Sequence, residues 1–205
     1  MQAKNHLDKN PNIAKNGNFY GLCTASYCIS IFKVNENGLL SFLTEIPSFF
    51  NVLFPLDYPL LAALYSDVDC RESGEVWYRA ASDEAAANLA SDWVEAAGFS
   101  RAFSPAEVFV ATWERVGYFD AKGDKVNTFQ LAVASDGESS YAIFLYPEAG
   151  IEWIRGEGKN GNMGDARAQA GIISGEGINF IFSESGSDQA SGDEAYYCSV
   201  LQGDQ

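Results

Sequence analysis

Asp67 and Asp69, in the run YSDVDCRESGE, are the pair whose type and spacing best suit chemistry. In extended chain, residues two apart project to the same side, and Glu72 and Glu75 follow closely. Two carboxylates on one face at a strand end, with backbone carbonyls and water, are the hard oxygen ligands that Ca2+ takes. The run lacks EF-hand spacing, and a simpler role is that the pair caps turns and accepts local backbone N–H groups. Paired carboxylates also serve glycoside hydrolysis, which needs a cleft and two differently tuned acids.

Nucleophilic chemistry finds little support. The single histidine, His6, lies in a polar stretch before the patterned part of the chain. A Ser–His–Asp or Cys–His arrangement needs a positioned base, and the folded body offers no imidazole for that role. The four cysteines are Cys23, Cys28, Cys70 and Cys198. None forms a CxxC pair, so zinc is poorly supported, and four cysteines leave three disulfide pairings open. Cys23 and Cys28 are close enough to close a small loop, which would leave Cys70 and Cys198 to pair across the domain. The Gly-rich stretch from Gly156 to Asp165 lacks the Gly-Lys-Ser/Thr ending of a phosphate cradle and reads as a connection.

Those side chains must be held by a β-rich scaffold. In Asn127–Pro147, NTFQLAVASDGESSYAIFLYP, two period-two apolar runs flank Ser135-Asp136-Gly137-Glu138, a hairpin signal. Phe129, Leu131 and Val133 share one face of the first run; Tyr141, Ile143 and Leu145 share one face of the second. Glu107–Phe119 reads as a third strand. Tyr27–Val34, the turn Asn35-Glu36-Asn37-Gly38 and Leu39–Phe42 give a second hairpin. Leu61–Val68, Glu75–Arg79, Ile151–Ile154, Ala168–Ile173 and Ile178–Phe182 read as further strands. Phe49, Phe50 and Phe54 are expected to wedge against the core.

A single helix is expected, with Ser82 as N-cap, Asp83 and Glu84 in its first turn and Gly98 just past its end. Ala86, Leu89, Ala90, Trp93, Val94 and Ala97 recur at helical spacing, which lays Trp93 onto the sheet. The fold class is therefore mainly β, an antiparallel sandwich or curved sheet with one packed amphipathic helix. The expected divisions are an arm over 1–20, a domain over 21–185 and a loose tail over 186–205.

Composition narrows the partners. The 205 residues are 47% hydrophobic, ample for a packed core, and carry a formal charge of −15. That charge opposes nucleic acid and anionic membrane surfaces, and favours cations or basic partner patches. No apolar run is long enough to insert in a membrane. The amino terminus has no apolar h-region of a signal peptide, and the chain has no Asn-x-Ser/Thr acceptor.

The blocks YSDVDCRESGEVWYR, VFVATWERVGYF and NTFQLAVASDGESSYAIFLYPEAGIEW, in that order, closely resemble the NIDO domain family. This family includes the first globular domain of nidogen (entactin) and domains of tectorin-like and mucin-like surface proteins. IFKVNENGLLSF resembles its early strand, turn and returning strand, so the likeness runs from about Ile29 to Ser183. Cys70 stands where the family commonly has Thr, and Cys23 and Cys28 lie outside its pattern. The resemblance implies a non-enzymatic, extracellular, basement-membrane module for cell–matrix adhesion and matrix assembly. The implied partners are laminin, collagen IV and perlecan, engaged in full-length members mainly through later domains. With no signal peptide in the sequence, the expectation is either a cytoplasmic protein or a fragment that starts downstream of its true beginning. The extracellular role that the resemblance implies goes with the fragment. The alternative is a Ca2+-dependent ligand- or glycan-binding domain using Asp67 and Asp69.

Overall fold

The computed structural model describes residues 17–19, 22–23, 28–29, 32–46, 48–50, 52–99, 102–155, 167–175, 179–181 and 197–201. His6, the Gly-rich stretch and most of the proposed arm and tail fall outside them. Two large antiparallel sheets, one small strand pair and one helix make up the described fold. The first sheet contains β1 (Gly17–Phe19), β4 (Phe32–Asn35), β5 (Leu39–Phe42), β6 (Leu60–Tyr65), β12 (Gln169–Ile173) and β13 (Asn179–Ile181), in that order. In the second, β14 (Tyr197–Leu201), β11 (Ser140–Leu145), β10 (Lys122–Ser135), β9 (Glu107–Tyr118) and β7 (Val68–Asp69) follow one another, with β8 (Glu75–Ala81) also on β9. A small separate pair joins β2 (Leu22–Cys23) to β3 (Cys28–Ile29).

Alternation places the core. Phe129, Leu131 and Val133 of β10 join Phe109, Ala111 and Trp113 of β9 against Val34, Leu40, Leu61 and Ala63 of the first sheet. The intervening residues of β10, Ala132 and Ala134, face outward with Val108, Val110 and Ile143, and the helix α1 (Glu84–Ala96) covers them. On the far side of the first sheet, Leu39, Leu60 and Ala62 pack under Ile46, Phe54 and Leu56. Phe49 and Phe50 pack there too, as expected for a Phe-rich wedge. Strand β6 is thus covered on both faces, which is why all six of its residues are apolar and buried.

Both expected hairpins form, but the second has a shorter first arm than the expected Tyr27–Val34: β4 alone pairs with β5, while Cys28–Ile29 is β3 of the separate pair. Ser135 pairs with Ser140, and Asp136 Oδ1 accepts from the amides of Glu138 and Ser139 at 2.9 and 2.7 Å. Asn35 pairs with Leu39 across the other turn. There Gly38 has φ +81°, and a Cβ would lie 2.2 Å from the Leu64 carbonyl oxygen, so only glycine fits. The expected strand over Leu61–Val68 breaks at Ser66–Asp67 into β6 and β7.

Three local expectations are corrected. Ile151–Ile154 is not a strand; Ile151 makes one isolated bridge to Asn127, and the backbone that follows is held by the Asn127 side chain. The N-cap is Asp83, not Ser82. Its carboxylate reaches the Ala86 amide at 2.9 Å, and Arg79 stands 3.6 Å from it. The helix buries Ala90 and Val94, with Ala86 and Trp93 beside them, but Leu89 is 47% exposed and Ala97 is also exposed. Leu89 falls at the rim of the buried face.

Candidate functional site

Asp67 and Asp69 sit in different surroundings. Asp67 is half-buried at the break between β6 and β7, and its carbonyl accepts from the Phe119 amide at 3.0 Å. It lines a cleft of about 340 Å3 with Glu36, Asn37, Ser48, Phe49 and Phe119. Asp69 does not line it. Its nearly buried carboxylate accepts from Arg71 Nε at 2.9 and 3.0 Å, from Arg71 Nη2, from the Arg71 amide at 3.1 Å and from the Ala121 amide at 2.9 Å. Its lone pairs are therefore taken up locally. Among the described residues no group of three or more His, Cys, Asp or Glu side chains is arranged to hold a metal ion.

The Asp69 bonds explain a strained turn. Strands β9 and β10 are joined through Asp120 and Ala121, both at positive φ (69° and 55°). Left-handed backbone costs a non-glycine residue about 1–2 kcal/mol. The carboxylate of Asp69 accepts from Ala121 and holds that conformation in place.

The Arg71 guanidinium, and then the two backbone amides, hold the Asp69 carboxyl down at about 2, below its ordinary 3.8. A depressed carboxyl contributes stability that is present above its unfolded pKa and lost as pH falls through its folded one. With Arg71 largely exposed, that contribution is about 1–2 kcal/mol near neutral pH. Asp69→Asn should therefore be less stable at pH 7 and show a flatter loss of stability between about pH 4 and 2. Chemical denaturation across that window checks it.

The cysteines divide by position. In the β2–β3 register Cys23 lies opposite Cys28, while Cys198 of β14 lies opposite Ile143 of β11. Cys70 is a free, half-buried thiol whose amide donates to Glu36 Oε1 at 3.0 Å. Burial, followed by the nearby Glu36 carboxylate, pushes this thiol well above its usual range. A thiol held protonated is a poor nucleophile. Cys70 is thus expected to resist alkylation in the native protein at pH 8 and to react fully once unfolded, as mass spectrometry of the trapped peptide would show.

Three tryptophans are structural. Trp113 is fully buried, stacks on Phe129 at 5.0 Å between ring centroids, and donates to the Asn35 and Glu36 carbonyls at 3.2 and 2.9 Å. It ties the second sheet to the turn of the first. Trp153 donates to the Val116 carbonyl at 3.1 Å and Trp77 to Glu114 at 3.0 Å. The fourth, Trp93, lines a groove on the outer face of the second sheet with Thr112, Thr128, Gln130, Leu145 and Pro147. Sequence reasoning missed this groove. The only signal for it was the change from Val108 and Val110 to Thr112 along one strand face, matched by Gln130 next to Ala132 and Ala134.

The family model for the nidogen-like domain (NIDO) matches residues 30–202. The chain belongs to that family. Among curated relatives, Nidogen of Drosophila melanogaster is 38% identical over 161 residues, which covers 77% of this chain and 12% of the relative. Nidogen-2 of Mus musculus is 34% identical over 134 residues (59% of this chain, 9% of the relative). Alpha-tectorin of Gallus gallus is 34% identical over 160 residues (72% of this chain, 7% of the relative). The chain thus spans about a tenth of the length of these relatives. No solved structure matches it. The expected NIDO membership and the mainly β, antiparallel two-sheet fold with one packed helix are both as found.

Proposed function

We propose that this NIDO domain is a non-enzymatic module of an extracellular, basement-membrane protein and acts in cell–matrix adhesion and matrix assembly. The observation that carries the reading is the family match, which spans nearly the whole described fold and has nidogens among the similar proteins. The chemistry of the described residues is consistent with it. The Asp69–Arg71 pair is used to brace a turn, and the Cys70 thiol is held protonated. Among the described residues no helix is long and apolar enough to cross a membrane. Matrix proteins, with laminin, collagen IV and perlecan as the family's implied set, are the proposed partners. The charge of −15 favours those that present basic patches.

Attachment of cells to surfaces coated with the purified domain tests the adhesion role. Saturable attachment that is lost when the coating protein is unfolded is the expected result. Attachment no greater than to an unrelated acidic protein would overturn it.

A further inference from the structure

The outer face of the second sheet is only partly covered. Strand β9 runs for twelve residues, about 40 Å at strand rise, whereas the thirteen residues of α1 span about 20 Å. Where the helix covers the face, it is apolar, through Val108, Val110, Ala132 and Ile143. At Trp93 the surface opens into a groove of about 330 Å3, and the face turns to Thr112, Thr128 and Gln130. That volume lies at the small end of ligand sites, about 300–1,000 Å3.

The groove is chemically distinctive. In a chain with 28 acidic residues, no charged side chain lines it among the described residues. Trp77, Trp113 and Trp153 each place their indole N–H on a protein acceptor, but that of Trp93 makes no hydrogen bond among the described residues. Gln130 Nε2 donates to Thr112 Oγ1 at 2.6 Å, which leaves the Gln130 carbonyl oxygen and the Thr112 hydroxyl proton open. Thr128 Oγ1 accepts from the Arg115 amide at 3.0 Å and keeps its own proton to donate.

A backbone irregularity fixes Thr128 in place. Asn127 pairs with Val116 and Phe129 with Trp113, so Glu114 and Arg115 together oppose the single residue Thr128. This is a β-bulge, with Arg115 at φ 52°. Bulges re-aim side chains and cluster beside functional sites, as does backbone held in the left-handed region.

We infer that this groove is a binding site for a neutral saccharide. A sugar ring offers an apolar C–H face, which suits the indole of Trp93 and the side chains of Leu145 and Pro147. Its rim of hydroxyls, each both donor and acceptor, suits Gln130, Thr112 and Thr128. The absence of lining charge selects against uronic acids and sulfated sugars. The site is remote in kind from Asp67 and Asp69, and it requires no Ca2+. It also stands independently of the matrix-adhesion reading.

The test is a titration of the isotope-labelled chain with glucose, galactose, mannose and N-acetylglucosamine and their short neutral oligomers, without Ca2+. It is read at the Trp93 indole and Gln130 side-chain resonances. At least one saccharide is expected to shift both, saturably. Gln130→Ala and Trp93→Phe, which retains an aromatic ring at the helix edge, should each weaken that binding about fivefold, the loss of one neutral hydrogen bond. The inference is overturned if no saccharide moves these resonances at up to tens of millimolar, if both variants bind as the wild type does, or if only an uncharged peptide control moves them.

Discussion

Asn127→Ala is expected to lower unfolding stability by about 3–5 kcal/mol. Asn127 is fully buried at the edge of the bulge. Its Oδ1 accepts from the amides of Glu152 and Trp153 at 2.9 and 3.0 Å, and its Nδ2 donates to the Trp153 carbonyl at 2.7 Å. One side chain therefore satisfies three backbone groups of a segment that, among the described residues, makes a single isolated β-bridge to the sheet. Removing it orphans all three, at about 1–3 kcal/mol for each that stays buried. Loss of the segment would also loosen Trp153, whose ring closes the core over Tyr118 at 5.5 Å. Asn127→Asp is the informative comparison. It keeps an acceptor for the two amides but turns a carboxylate on the Trp153 carbonyl, so it should rescue little. The midpoint of urea unfolding at constant slope reads both.

Trp113→Ala has the second largest expected effect, also about 3–5 kcal/mol for truncation of a buried large aromatic. The loss is not only volume. Trp113 packs on Phe129 within its own sheet and donates across to the β4–β5 turn of the other. Trp113→Phe separates the contributions. It keeps most of the stacking and drops the N–H, so it should cost about 1–3 kcal/mol for the lost donor. Equal destabilisation by the two substitutions would mean that the hydrogen bond, rather than the packing, joins the sheets.

The parts of this fold legible in the sequence are those with a local period. The alternation of Phe129, Leu131 and Val133 marked one buried face, and the Asn35–Gly38 turn marked a hairpin, because each pattern is complete within a few residues. Ile151 looked like a strand residue but is buried through Asn127, a contact that no local pattern encodes. Ser82 and Asp83 are both good capping residues; the choice rests on whose side chain reaches the Ala86 amide, which is a matter of tertiary placement. Leu89 fitted the helical period yet lies at the rim, because the sheet meets the helix along a narrower stripe than the period allows.

The candidate sites show the same division. Asp67 and Asp69 stand two apart in sequence, but the break before β7 sends one to a cleft and the other to Arg71 and the Ala121 turn. Trp93 carried a helical-period signal for the core and does pack at its edge. Its role beside Thr112, Thr128 and Gln130 depends on the helix ending before the strands do. That relation exists only between elements.

The central claim, that this NIDO domain binds matrix proteins, is tested most directly by surface-binding measurements of the folded domain against immobilised laminin, collagen IV and perlecan. The same domain, irreversibly heat-unfolded, serves as the control. Saturable binding to at least one of the three, weakened by added salt and lost in the control, is the result predicted. An absence of binding to all three by the correctly folded wild type would contradict it.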